Sequence, residues 1–296
     1  MIKEQTQMNP TQKVAITVDR RSDLSRKELI KEYIEPSVPV ILTNAADHWG
    51  AVGKFTPEFF KTKYGHLTKT VKGVEYTVSD FVDRMLVSTP QTPSPYPFNL
   101  NVEQYFPELL QEMKPEIIYG KTDRINHPLL PRFMMHGTDV YEIFLGGNGS
   151  SFPFLHIDAL FLHNQATMLY GSKDFIMYPP DQIKFLYPKE GSPKYSSIDI
   201  LNPDYDKYPL FKEAQSITVT LKQGETLLFP TGWWHTTLIH EPCISFGRAH
   251  LSAANWSKYI KDEYYTWKRR SPLMANVIFG YEYLLGKVMD VQEKFV

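Results

Sequence analysis

Cysteine is nearly absent from this chain: of 296 residues only Cys243 is one. That excludes an intramolecular disulfide and any cysteine-rich zinc site, and it fits a reducing compartment. Excess charge is absent as well. Lys and Arg number 32 against 33 Asp and Glu, a net charge of -1, so no basic surface for nucleic acid is expected. No stretch approaches the roughly 20 apolar residues that span a bilayer. Residues Met1 to Lys13 are polar and lack the apolar core of a signal peptide. Internal repeats and low-complexity tracts are missing too. These absences predict a cytoplasmic protein with neither a membrane nor a nucleic-acid partner.

Aromatic residues, by contrast, are plentiful: 18 Tyr, 18 Phe and 5 Trp, which favours a sheet-rich interior. The patterning divides the chain into a flexible N-terminus (1–13), a main domain (14–254) and a C-terminal helical extension (255–296). Early in the main domain, Ser25 is a plausible cap for a short helix, Val38 to Thr43 reads as a buried strand, and Thr56-Pro57 opens a second helix. Val78 to Leu86 is amphipathic. From Tyr96 onward the pattern is β, with short strands expected at 140–145, 152–158, 164–170, 174–178, 216–221, 226–229, 234–239 and 243–249. Gly and Pro turns between many short strands predict a mainly β fold with a jelly-roll core and α/β decoration at its N-terminal side. Residues 179–215, rich in Tyr, Pro, Asp and Lys, read as an insertion running over the surface. Near the end, Val277, Tyr281, Leu284, Val288, Val291 and Phe295 recur at helical spacing. Such a stripe docks on the protein's own sheet or joins two copies into a homodimer.

The chemistry concentrates in His156-Ile157-Asp158 and in His235, which follows Gly232-Trp233-Trp234. Residues i and i+2 of a strand face one way, so His156 and Asp158 can close on one ion while Ile157 faces the opposite layer. Two imidazoles and a carboxylate with open positions left over are the ligand set of non-heme Fe(II) oxygenases. A His-x-Asp alone is a weak signal, since a buried histidine often just satisfies a carbonyl. His235 strengthens it, because a jelly roll brings strands distant in sequence side by side. Lys173, in Gly171-Ser172-Lys173-Asp174-Phe175, lies between apolar strands, where an unpaired ammonium is costly. It pairs with an anion there or, as a turn lysine, reaches solvent.

The segments Leu155 to Asp158, Gly171 to Pro180 and Gly224 to His235, in that order, resemble the jumonji-C family of Fe(II)- and 2-oxoglutarate-dependent oxygenases within the cupin superfamily, in its hydroxylase-like branch. Pro39 to Leu42, Trp49 and Phe55 to Glu58 look like the opening of such domains. The resemblance implies a double-stranded β-helix with Fe(II), 2-oxoglutarate and O2 as cofactor and cosubstrates. It implies iron on His156, Asp158 and His235, which are thereby the catalytic residues. Lys173 then pairs with the distal carboxylate of 2-oxoglutarate, and Tyr96 assists it. The family's Ser or Thr three residues before the first metal histidine is Pro153 here. Ser151, Asn164 and Thr167 are candidate substitutes for it and for the family's asparagine.

Among other polar residues, His163, His240 and His250 read as hydrogen-bonded non-ligands and Arg248 as a surface ion pair. Trp233, Trp234 and Phe175 are expected to wall the site. The implied activity is hydroxylation of a protein or peptide side chain, with 2-oxoglutarate and O2 converted to succinate and CO2. A small-molecule hydroxylase of the same mechanism and a non-catalytic metal-binding cupin module remain alternatives.

Overall fold

The computed structural model describes residues 17–135 and 138–296; the expectation for residues 1–13 falls outside these. In chain order the elements are β1 (Asp19–Arg21), α1 (Arg26–Leu29), β2 (Val40–Leu42), α2 (Pro57–Tyr64), β3 (Thr68–Val71), β4 (Val74–Thr77), α3 (Val78–Leu86), β5 (Phe98–Asn101), α4 (Val102–Tyr105), β6 (Tyr141–Gly146), β7 (His163–Tyr170), β8 (Ser172–Tyr178), β9 (Pro188–Lys189), β10 (Ser192–Ser196), β11 (Ile217–Lys222), β12 (Thr226–Phe229), β13 (Trp234–Leu238), β14 (Cys243–His250), α5 (Ala253–Lys268) and α6 (Pro272–Gln292). Local chemistry sets the early boundaries. Ser25 and Glu28 form a reciprocal capping box at α1, and Thr56 caps α2 with Pro57 in its first turn.

Two sheets face each other. The larger has seven strands in the order β1-β2-β12-β7-β14-β6-β5, and the smaller runs β11-β8-β13. Four connections, β7 to β8, β11 to β12, β12 to β13 and β13 to β14, cross from one sheet to the other and give a jelly roll, the core expected from the turn-punctuated strands. Period-two alternation sorts the side chains. Ala166, Met168, Phe175, Met177, Leu221, Leu227 and Phe229 meet between the sheets. Residues of opposite parity on the larger sheet, Ile143, Leu145, Leu169, Ile244 and Phe246, pack outward in a cluster that also holds Phe60, Phe81, Trp256 and Tyr259 of the helices.

Three expectations need correction. The segment 152–158 is not a regular strand: its backbone pairs with β13 as the isolated bridges Ser151–Leu238 and His156–His235 and not as a ladder. Pro153 has no N–H to give to a ladder, so pairing lapses between them. Second, residues 179–215 are more than a surface excursion. Their hairpin β9–β10 extends the smaller sheet, with the Ile157 amide donating to Lys194 O at 2.8 Å and Ser196 to Leu155 O at 2.9 Å. Leu186, Ile198 and Phe211 are buried with Leu155, Tyr178 and Trp234 on the outer face of that sheet.

Third, the C-terminal stripe does not dock. Val277, Tyr281, Leu284, Val288, Val291 and Phe295 are 40–86 % exposed. The face turned inward is instead Ala275, Ile278, Glu282, Leu285, Gly286 and Met289. At Gly286 the Trp256 indole approaches so closely that a Cβ would lie 2.3 Å from its Nε1, which fixes the rotation of α6 against α5. No helix among the described residues is long and apolar enough to cross a membrane.

Candidate metal centre and its cavity

His235 enters the space between the sheets because it has the parity of Thr237 on β13 and of Trp233 just before it, whereas Trp234 and Thr236 face outward. His156 reaches the same place from the irregular segment beside β13. Backbone bonds in both directions join the two, His156 N to His235 O at 3.1 Å and His235 N to His156 O at 2.8 Å. Asp158 closes the group. Its carboxylate lies 3.8 Å from His156 Nε2 and 3.6 Å from His235 Nε2, and one ligand atom from each residue falls within 4.8 Å of the other two. Neighbouring donors around a single ion with bonds of about 2.1 Å sit roughly 3 Å apart, so a small inward movement completes the set.

The imidazoles are oriented for that role. His156 Nδ1 lies 3.4 Å from Phe154 O and His235 Nδ1 lies 3.2 Å from Trp233 O. A carbonyl only accepts, so Nδ1 carries the proton in both rings and Nε2 presents its lone pair to the shared point. Burial, followed by the neighbouring His235, pulls the His156 pKa down to about 4. It is therefore neutral at physiological pH, as a ligand must be. Just past Asp158 the chain turns through two left-handed residues, Leu160 and Phe161. The Asn255 side chain of α5 braces this turn by donating to Phe161 O at 3.0 Å.

The cavity beside the three residues has a volume of about 200 Å³. Lys173 lines it, being of one parity with Phe175 and Met177 on β8. The lysine is 4 % exposed. Its ammonium donates to Ser245 Oγ at 2.8 Å and to the Tyr96 hydroxyl at 3.5 Å, between the rings of Phe144 and Phe175 at 5.5 and 5.1 Å. Burial lowers its pKa to about 8. No carboxylate pairs with it among the described residues. The nearby Cys243 thiol cannot serve as the counter-ion, because burial pushes its pKa up to about 12. A buried cation facing a cavity without an anion fits a dianionic ligand that reaches from the metal point to the lysine.

Of the remaining sequence-predicted residues, Tyr96 and Asn164 line this cavity. Ser151 and Thr167 do not. Ser151 opens the irregular segment, in its bridge to Leu238. Thr167 has the parity of Gln165 and Leu169, pointing to the outer face of β7, where it bonds Thr226 and Gln165. Trp233 and Phe175 pack between the sheets, but Trp234 lies in the outer layer under the insertion.

His163 bonds Ser252 and the Thr231 amide, His250 bonds Gln165, and His240 bonds Asp174. Arg248 is not at the surface. It is 2 % exposed and pairs with Asp123 at 2.7 Å and Glu116 at 2.8 Å. The sequence reading missed Thr237, Ser245 and Glu142, all lining the cavity. Their signal was parity: Thr237 stands two residues after His235, and Glu142 two before Phe144. Glu142 is held by Asn99, and burial together with Asp139 and Asp158 lifts its pKa to about 7.

A jelly roll with two histidines and an aspartate converging inside it, and an anion-seeking lysine in the same cavity, defines a metal-dependent cupin. The chain belongs to the cupin-like, jumonji-C-related family: the family model described as a cupin-like domain matches residues 68–248. It is similar to the lysine-specific demethylase JMJ21 of Arabidopsis thaliana, 26% identical over 250 residues that cover 81% of this chain and 26% of that protein. It is also similar to human HSPB1-associated protein 1, 35% identical over 97 residues covering 31% of the chain and 20% of that protein. Human JmjC domain-containing protein 8 is 26% identical over 237 residues, 75% of this chain and 79% of that protein. The chain thus spans about a quarter or less of the first two relatives. Fe(II), 2-oxoglutarate and O2 are the cofactor and cosubstrates of this family, and the His-Asp-His group suits the metal.

Proposed function

We propose that the chain is an Fe(II)- and 2-oxoglutarate-dependent dioxygenase that hydroxylates a protein or peptide side chain. The observation that carries this reading is the shared cavity, with the His156, Asp158 and His235 ligand atoms in one part and the uncompensated ammonium of Lys173 in another. When bound, iron with 2-oxoglutarate and O2 supplies the oxidation, giving succinate, CO2 and a hydroxylated C–H bond. The protein's share is positional. His156, Asp158 and His235 would hold the metal on one side only, leaving positions open to the cavity. Lys173 and Tyr96 would bind the distal carboxylate, with Asn164 on the facing wall of β7. Phe144, Phe175 and Phe229 exclude water from the space between.

A protein side chain as substrate is supported by the name of a relative, a lysine-specific demethylase. Hydroxylation is the simplest outcome of this chemistry, and on an N-methyl group it would lead to demethylation. The main unit is taken as residues 14–254, with the extension 255–296 carrying the exposed apolar face of α6. We assign that face to a second copy of the chain, and the near absence of cysteine supports a cytoplasmic setting. The test is turnover. Purified protein with Fe(II), 2-oxoglutarate and O2 should release succinate, and a peptide library should yield a product heavier by one oxygen atom. A protein that binds iron yet never forms succinate with any peptide pool would refute the assignment.

A further inference from the structure

Lys173 and the hydroxyls beside it bring more protons to donate than they have acceptors among themselves. Ser245 is 1 % exposed, and its oxygen already accepts from the lysine at 2.8 Å. Its own proton therefore points elsewhere, and no acceptor for it exists among the described residues. The Tyr96 oxygen likewise accepts from Lys173. Thr237 is 5 % exposed, adjoins the Tyr96 hydroxyl, and its Oγ1 has no well-aligned hydrogen-bond partner. A buried hydroxyl left in this condition is costly unless a ligand completes it.

Strand register puts these groups in line. His235 stands opposite Met177, Thr237 opposite Phe175, and Lys173 two residues further along β8. At about 3.4 Å of rise per residue, Thr237 lies roughly 7 Å along the sheet from His235, in the direction of Lys173. Pro153 offers no hydroxyl, Ser151 is displaced along the irregular segment, and Thr167 is committed to the outer face of β7.

Resting on the oxygenase reading above, we propose that Thr237 and Ser245, from two different strands, complete the binding site for the distal carboxylate of 2-oxoglutarate together with Lys173 and Tyr96. Four donors would then surround one carboxylate, and the hydroxyl lacking at position 153 is supplied from β13. The site selects a 2-oxo acid with a second carboxylate. A neutral chain end would leave the ammonium without a counter-ion and the hydroxyls of Ser245 and Thr237 without a full set of partners.

The test is calorimetric titration of the Mn(II)-loaded protein, in which no turnover occurs, with 2-oxoglutarate and with 2-oxopentanoate, which lacks the second carboxylate. Thr237→Val and Ser245→Ala should each weaken 2-oxoglutarate by about 10- to 100-fold. Mn(II) affinity and the weak 2-oxopentanoate binding should stay unchanged, and Thr237→Ser should restore affinity. If both variants bind 2-oxoglutarate within twofold of wild type while Lys173→Met does not, the proposal falls and the oxygenase reading stands. If wild-type protein binds no 2-oxoglutarate, both fall.

Discussion

Lys173→Met should make the empty protein more stable and at the same time remove its affinity for 2-oxoglutarate. Methionine keeps the unbranched stem and the contacts to Phe144 and Phe175 while deleting the ammonium. The lysine pKa falls from 10.5 to about 8 on folding because the charge is buried. At about 1.4 kcal/mol per pKa unit, the charged form carries a penalty of about 3 kcal/mol. The sign follows from the depressed value. The penalty is present in full below pH 8 and fades as pH rises toward 10.5, so the mutant's advantage is greatest at neutral pH. In a chain of this size, a change of that order raises the melting temperature by several degrees. Binding responds the other way. Removing one member of a buried ion pair costs about 3 to 5 kcal/mol, more than a hundredfold in 2-oxoglutarate affinity. Thermal melts at pH 7 and pH 10, alongside calorimetric titration, read both effects. A mutant that melts lower and still binds 2-oxoglutarate normally would refute the argument, because the lysine would then be a packing residue.

Glu282 of α6 is wholly buried, accepts from Tyr259 at 2.9 Å, and has its pKa lifted by burial to about 8. Stability should therefore fall as pH rises from about 4.5 through 8, and Glu282→Gln should flatten that profile by about 1 kcal/mol or more, as seen in melts across this range. Ser252→Ala removes the cap of α5 and the partner of His163. It should cost about 1 to 2 kcal/mol in denaturant unfolding. Gly171 turns β7 into β8 with φ +66, and a Cβ there would lie 2.3 Å from Pro242 O. Gly171→Ala should destabilise by about 2 kcal/mol and weaken 2-oxoglutarate by shifting Lys173. Leu284→Glu on the exposed face of α6 should turn a dimer into a monomer in light scattering without loss of fold; a wild type already monomeric at high concentration contradicts that assignment.

Outside the insertion, the sequence made the strands from 163 to 250 legible because alternation and Gly or Pro turns are local signals. β12 and α3 begin and end where the pattern placed them. Local signals also found the histidines, the aspartate and the buried lysine. What escaped depends on pairing between distant segments. Pro153 breaks a ladder whose partner, β13, lies some eighty residues downstream, and the insertion could not be seen as sheet until its hairpin met Ile157. Parity was readable but unused. It would have turned Thr167 and Trp234 away from the site and Thr237 into it. α6 carries apolar residues on two faces, and sequence spacing alone does not say which one a neighbouring Trp256 will press against.

One anaerobic experiment bears directly on the central claim that His156, Asp158, His235 and Lys173 form a single iron and 2-oxoglutarate site. Fe(II) is titrated into the protein with 2-oxoglutarate under argon, and the weak visible charge-transfer band of the chelate is followed. The account predicts a band that saturates at one iron per chain, disappears in His235→Ala, and in Lys173→Met requires far more 2-oxoglutarate. A wild-type protein that develops no band, or a His235→Ala variant that develops the same one, would contradict it.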